Sequence, residues 1–116
     1  AEAGWSYGYG HSMAQELMQM ESPPTGVIAL NDEVAIGAMK AIKEWGFSVP
    51  KDFAVIGFDN LSIGQWVEPG LTSIAQNVSE LIEKSIEFIQ GVGDVVENSD
   101  FPIVKVEPKL IVRGSS

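Results

Sequence analysis

Two stretches of the chain share one layout: an apolar run, a pair of short polar residues at its end, and then a change of pattern. Val27 to Leu30 is unbroken apolar sequence, followed by Asn31 and Asp32. Val55 to Phe58 repeats it and ends in Asp59 and Asn60. Each run has the pattern of a strand buried on both faces. Between them Val34, Ala35, Ala38, Met39, Ala41, Ile42 and Trp45 recur at spacings of three and four, which predicts a helix with a broad apolar face. Ile36 and Lys40 fall toward its other side. Asp32 and Glu33 lie at its amino end, where the macrodipole favours negative charge. Gly46 suits a left-handed cap at its carboxyl end. Strand, helix and strand in this order imply a right-handed crossover and a parallel pair.

The flanking segments extend the picture. A helix is predicted to start between Ser6 and Gly10 and to run to Met20, with Met13, Leu17 and Met20 on one side. Ser22-Pro23-Pro24-Thr25 stops it, because proline lacks an amide hydrogen and restricts its predecessor. Leu61 to Gly70 reads as a loop whose Trp66 and Val67 are either buried locally or placed at an interface. Leu71 to Gln76 is a short extended piece. Asn77, with Glu80 three residues on, has the form of a capping box. The helix it opens carries Val78, Leu81, Ile82, Ser85, Ile86 and Ile89 on one face, and Gly91 and Gly93 end it. Gly91 to Asp100 is polar. Ile103 to Val106 and Lys109 to Val112 are short strand candidates split by Pro108, which suits an edge or a bend.

Charge and composition exclude several functions. The formal net charge is -9, which repels phosphate backbones, so this chain alone is not expected to bind nucleic acid. It has no cysteine, which removes disulfides and thiolate metal sites. The single His11 cannot build a histidine-rich metal site and reads as a surface or supporting residue. No metal and no cofactor are expected. No apolar run approaches the ~20 residues that cross a bilayer. Ala1 to Trp5 lacks the basic start and apolar core of a signal peptide, and there is no initiator Met. The chain is therefore expected to begin inside a larger protein.

The polar pairs are the candidate chemistry. In an open parallel sheet, ligands bind at the carboxyl ends of strands. Asn and Asp are also common helix caps, and spacing alone leaves both roles open. Asp32, Glu33 and Asp59 could form an acid pair for hydrolysis, but the sequence sets no His or Lys beside them. No phosphate-binding glycine loop and no Gly-x-Ser-x-Gly elbow occurs. A binding role needs less. Asn31, Asp59 and Gln76 offer acceptors and donors, and Trp5 a flat apolar face. Together they suit a small polar ring compound such as a sugar or a nucleobase. Trp5 could instead be core or lid packing.

Four motifs resemble the lac repressor family of bacterial transcription regulators, in that family's order and spacing. They are Pro24 to Ala38, Val49 to Asn60, Pro69 to Ile74 and Leu110 to Ser115. Gly4-Trp5-Ser6 fits the segment that precedes them, so the resemblance covers nearly the whole chain. It implies an α/β three-layer fold with a mainly parallel sheet, like one lobe of a type I periplasmic binding protein. Residues 1–116 would be the carboxyl-terminal part of the effector-binding domain, without the DNA-binding domain and most of the amino-terminal lobe. Trp5 to Leu71 would belong to the carboxyl lobe, the helix from Asn77 to Gln90 would pack on the amino lobe, and the tail would return.

The same resemblance implies a non-enzymatic, cytoplasmic sensor that binds a small effector, a sugar or nucleobase-like compound, between two lobes. Asn31 and Asp59 would be polar contacts, Trp5 a stacking wall, and Gln76 would stand near the hinge. Operator DNA would be a partner only through the missing amino-terminal domain. Family dimers use the first turn of the chain and the Ile36 to Lys40 surface, so a homodimer is expected; the helix face of Leu81, Ile82, Ile86 and Ile89, without its native sheet, leads to an expectation of a self-associating fragment or a swapped element. The alternative is a periplasmic sugar-binding protein of a transport system, which shares Asn31-Asp32, Gly57-Phe58-Asp59 and Ile74-Ala75-Gln76.

Overall fold

The computed structural model describes residues 4–91 and 105–116. They fall into two compact units, one of Ala1–Ala75 with Leu110–Ser116 and one of Gln76–Lys109. In chain order the elements are α1 (Tyr7–Met18), β1 (Gly26–Ile28), α2 (Asp32–Glu44), β2 (Ala54–Phe58), a 3-10 turn (Ser62–Gln65), β3 (Thr72–Ala75), α3 (Val78–Gly91) and β4 (Lys109–Ile111). The sheet order is β1-β2-β3-β4. β1 and β3 both run parallel to β2, with Ile28 opposite Ile56 and Phe58 opposite Ile74. The expected crossover from β1 through α2 to β2 is present, in an α/β fold with a mainly parallel sheet.

One apolar core organises the first unit. Ala35, Ala41 and Ile42 of α2, Val55 of β2, and Leu71 are fully buried, and Ala14 and Met18 of α1 pack with them. Burying a side chain the size of Ile42 or Leu71 contributes about 1.5–3 kcal/mol. α1 reaches this core through two small residues and one methionine. Gly10, Ala14 and Met18 are its buried positions, whereas Met20 is exposed and Met13 and Leu17 are half-buried. The packed stripe is therefore not the expected Met13, Leu17 and Met20. A Cβ at Gly10 would stand 2.0 Å from the carbonyl oxygen of Val34, and one at Gly37 would stand 1.9 Å from that of Tyr7. The two helices thus meet backbone to backbone, and side-chain size rather than hydrophobicity selects the contact face.

Other sequence expectations are corrected. Val27 to Leu30 is not buried on both faces: Ile28 is 74% and Leu30 64% exposed. β1 lies at the end of the sheet order, and its apolar side chains there have open surface beside them. β2 buries Val55 and Gly57, with Ala54, Ile56 and Phe58 half-buried in alternation with them. Trp66 is 80% exposed, which removes local burial. Gly46 does take the left-handed conformation, at φ +86°. Ile103 and Val104 lie outside the described residues, as does Gly93; Lys105 to Pro108 are irregular.

The carboxyl-terminal tail locks the sheet. Ser115 is fully buried. Its Oγ donates to the Val55 carbonyl at 2.6 Å and accepts from the Thr72 amide at 2.8 Å. The Val55 amide donates to the Ser115 carbonyl at 2.7 Å. The β2–β3 ladder starts only at Ile56 and Thr72. Ser115 thus satisfies the backbone groups that would otherwise be stranded below it.

In the second unit α3 opens as expected. Asn77 Oδ1 accepts from the Glu80 amide at 3.2 Å, and Asn77 Nδ2 donates to Glu80 Oε2 at 2.8 Å. None of its residues is buried, and Val78, Leu81, Ile82, Ile86 and Ile89 are all exposed.

Candidate functional site

Asn31 stands at the carboxyl end of β1 as the cap of α2. Its Oδ1 accepts from the Val34 amide at 2.8 Å, and its Nδ2 donates to the Trp5 carbonyl at 3.1 Å. The side chain therefore caps a helix and also tethers the segment before α1. That bond brings together two of the four candidate residues. The Trp5 side chain is exposed, so core packing does not account for it.

Asp59 occupies the matching place on the neighbouring strand. Asn31 lies three residues beyond Ile28, Asp59 three beyond Ile56, and those two residues are register partners. Asp59 is exposed. Its backbone is at φ 99° and that of Asn60 at φ 51°. Such conformations cost on the order of 1–3 kcal/mol in a non-glycine residue and persist where the surroundings hold them.

Several segments hold them here. The Asp59 amide donates to the Ile74 carbonyl at 2.9 Å. The Asn60 amide donates to Ser73 Oγ at 3.0 Å, and the Leu61 amide to Asp32 Oδ2 at 2.6 Å. Ser73 Oγ in turn donates to Asp32 Oδ1 at 2.6 Å. Arg113 completes the set, donating from Nη2 to Asn60 Oδ1 at 2.8 Å and from Nη1 to the Leu71 carbonyl at 2.6 Å. Asp32 and Ser73 are fully buried. Space for the Asp32 carboxylate exists because residue 57 is glycine; a Cβ there would lie 2.1 Å from Oδ1.

The arrangement corrects the reading of Asp32 as half of an acid pair. Both its oxygens are taken by donors and it has no exposed surface. Asp32 is a buried knot tying α2 to β3 and to the loop after β2. Ser73 and Arg113 drew no attention individually in the sequence. Their one signal was their place in the Pro69 to Ile74 and Leu110 to Ser115 motifs. Gln76 is the first residue of the second unit and is exposed there. Among the described residues, no group of three or more His, Asp or Glu is placed to hold a metal ion.

A separate depression of 460 Å³ is lined by Tyr7, Gly8, His11, Ile36, Gly37 and Lys40. At its side His11 Nε2 and Glu44 Oε2 are 2.6 Å apart, and Lys40 Nζ lies 3.7 Å from Glu44 Oε1. The hydrogen bond to His11 holds the Glu44 carboxyl below its ordinary value, with the nearby charges of His11 and Lys40 adding to the effect.

Residues 1–116 match the periplasmic binding protein-like domain family. The chain is 38% identical to the HTH-type transcriptional repressor CytR of Escherichia coli over 118 residues, covering 100% of this chain and 34% of that protein. It superposes on a LacI-family regulatory protein from Chloroflexus aggregans with a TM-score of 0.85 and 33% identity, covering 97% of this chain and 41% of that one. A LacI-family regulator from Enterococcus faecium, solved with bound ribose, aligns with a TM-score of 0.75 and 32% identity, covering 97% and 41%. The chain spans about a third of the length of the curated relatives it matches. No helix among the described residues is long and apolar enough to cross a membrane. The chain belongs to the periplasmic binding protein-like domain family, in the branch carried by LacI-family transcriptional regulators.

Proposed function

We propose that this chain is the effector-sensing portion of a LacI-family regulator, and that Asn31, Asp59, Trp5 and Gln76 contact a small polyhydroxylated ring ligand. The observation that carries the reading is Asp59: an exposed carboxylate at the carboxyl end of β2, kept at φ 99° by bonds from neighbouring segments. A carboxylate accepts from paired hydroxyls, and an indole face stacks on a ring. The ribose found in the E. faecium regulator supports a sugar as the ligand class. The ligand acts by population shift. It favours the closed arrangement of two lobes by its differential affinity, and operator binding by a separate amino-terminal domain follows that equilibrium. In this reading the protein is a cytoplasmic homodimer with no catalytic residue.

Calorimetric titration of the full-length gene product with D-ribose, sucrose and adenosine tests it. Asp59→Ala is expected to weaken the bound compound by about tenfold or more, as a lost charge-assisted hydrogen bond does, with the fold unchanged. An unchanged affinity removes Asp59 from the site. The alternative, a periplasmic transport receptor, is decided by the coding region upstream of Ala1. A helix-turn-helix there supports the regulator, and a signal peptide leading into one lobe supports the receptor.

A further inference from the structure

We infer that Arg113 and the buried Asp32 are positioning residues for Asp59, and that they tie ligand affinity to the segments through which the chain leaves and re-enters the first unit. The inference rests on the reading of Asp59 as a ligand contact. The chain leaves the first unit directly after β3 and returns at Leu110. Both passages are bonded to the 59–61 loop. From β3, Ser73 Oγ accepts from the Asn60 amide, and the Ile74 carbonyl accepts from the Asp59 amide. From the segment after β4, Arg113 grips Asn60 Oδ1 and the Leu71 carbonyl, while its own amide donates to Thr72 Oγ1 at 2.8 Å.

Asp32 anchors the loop from the start of α2, accepting from the Leu61 amide and from Ser73. A backbone at φ 99° relaxes once such bonds are removed, because its conformation is costly for an aspartate. Displacement of either passage therefore pulls on the residue that faces the ligand. Hydrogen-bonded networks of this kind can carry coupling to a site from residues that do not touch the ligand.

The test uses the full-length gene product, with D-ribose as probe and Arg113→Met, Arg113→Lys, Asp32→Asn and Asp59→Ala as variants. Amide exchange at Asn60 and Leu61 reads the loop directly. Arg113 is half-buried whereas Asp32 is fully buried, so the Arg113 variants are expected to retain the fold even where Asp32→Asn fails to fold, which circular dichroism checks. Arg113→Met is expected to speed exchange at both amides and to weaken ribose about tenfold, with Arg113→Lys recovering part of each. In the Asp59→Ala background Arg113→Met is expected to cost no further affinity, which a merely structural role would not produce. Unchanged exchange in Arg113→Met overturns the inference, as does an affinity loss that persists in the Asp59→Ala background. If Asp59→Ala alone leaves ribose binding intact, the proposed contact fails instead. If ribose gives no heat with the unmodified protein, that sugar is excluded and the exchange measurement decides whether Arg113 holds the loop.

Discussion

Gly37 of α2 sits against the carbonyl of Tyr7 in α1 so closely that a Cβ would come within 1.9 Å of the oxygen. The pair Gly10 and Val34 repeats the contact from the other helix, at 2.0 Å. The obstacle in both cases is backbone, which cannot rotate away as a side-chain tip would. Gly37→Ala is expected to destabilise the first unit by about 3 kcal/mol through forced separation of the helices. Gly46→Ala is a useful contrast. It has open space but φ +86°, so it should cost only about 1–2 kcal/mol. Urea denaturation of both variants checks the order.

Ser115→Ala leaves two buried backbone groups, the Val55 carbonyl and the Thr72 amide, without the hydroxyl that serves both. A loss of about 2–4 kcal/mol is expected, from an orphaned donor and an orphaned acceptor. Thermal unfolding followed by circular dichroism measures it. A change within about 0.5 kcal/mol, the range of ordinary surface substitutions, would show that the tail is not part of the cooperative unit.

Glu44 gives a pH signature. Its carboxyl is held below its ordinary value in the folded chain, first by the hydrogen bond to His11. A lowered folded value means that the stabilisation is present above the unfolded value and disappears as pH falls through the folded one. The melting temperatures of the unmodified protein and of Glu44→Gln should therefore differ at neutral pH and converge in acid. The effect is small because the carboxyl is exposed. A gap that widens on acidification would contradict the assignment.

The exposed face of α3 predicts behaviour of the 116-residue chain in solution. Leu81, Ile82, Ile86 and Ile89 stand at helical spacing and are exposed among the described residues. Contiguous apolar surface of this kind recruits a partner. Sedimentation velocity is expected to show concentration-dependent association, abolished by Ile82→Asp with Ile89→Asp. A stable monomer across the concentration range would refute this.

Much of the fold was legible because it depends on neighbours in sequence. The α2 period, the Gly46 cap, the Asn77–Glu80 pair and the parallel strands all follow from local pattern. The face of α1 was not legible, since Gly10 and Ala14 are chosen for closeness of approach and carry little apolar signal. Nor was the exposure of Ile28 and Leu30, because an apolar run does not reveal which strand lies at the end of a sheet. The site divides along the same line. Asn31 and Asp59 advertise themselves at strand ends. The groups that hold Asp59 come from Asp32, Ser73 and Arg113, and their pairing is a property of the folded chain. Asp32 in particular reads as a surface cap until Gly57 is seen to make room for it.

The placement of Ser115 between β2 and β3 also bears on how the first unit forms. Val55 and Thr72 both precede the Gln76–Lys109 excursion, but the residue that completes their hydrogen bonding arrives only after it. During synthesis from the amino end, the core of α1, α2 and β2 can assemble while three backbone groups beneath the ladder, the Val55 amide and carbonyl and the Thr72 amide, still lack their Ser115 partner. Closing that gap requires a long loop to come home, so its entropy falls on the last step rather than the first. The first unit therefore completes its hydrogen bonding only after the residues of the second unit have been made.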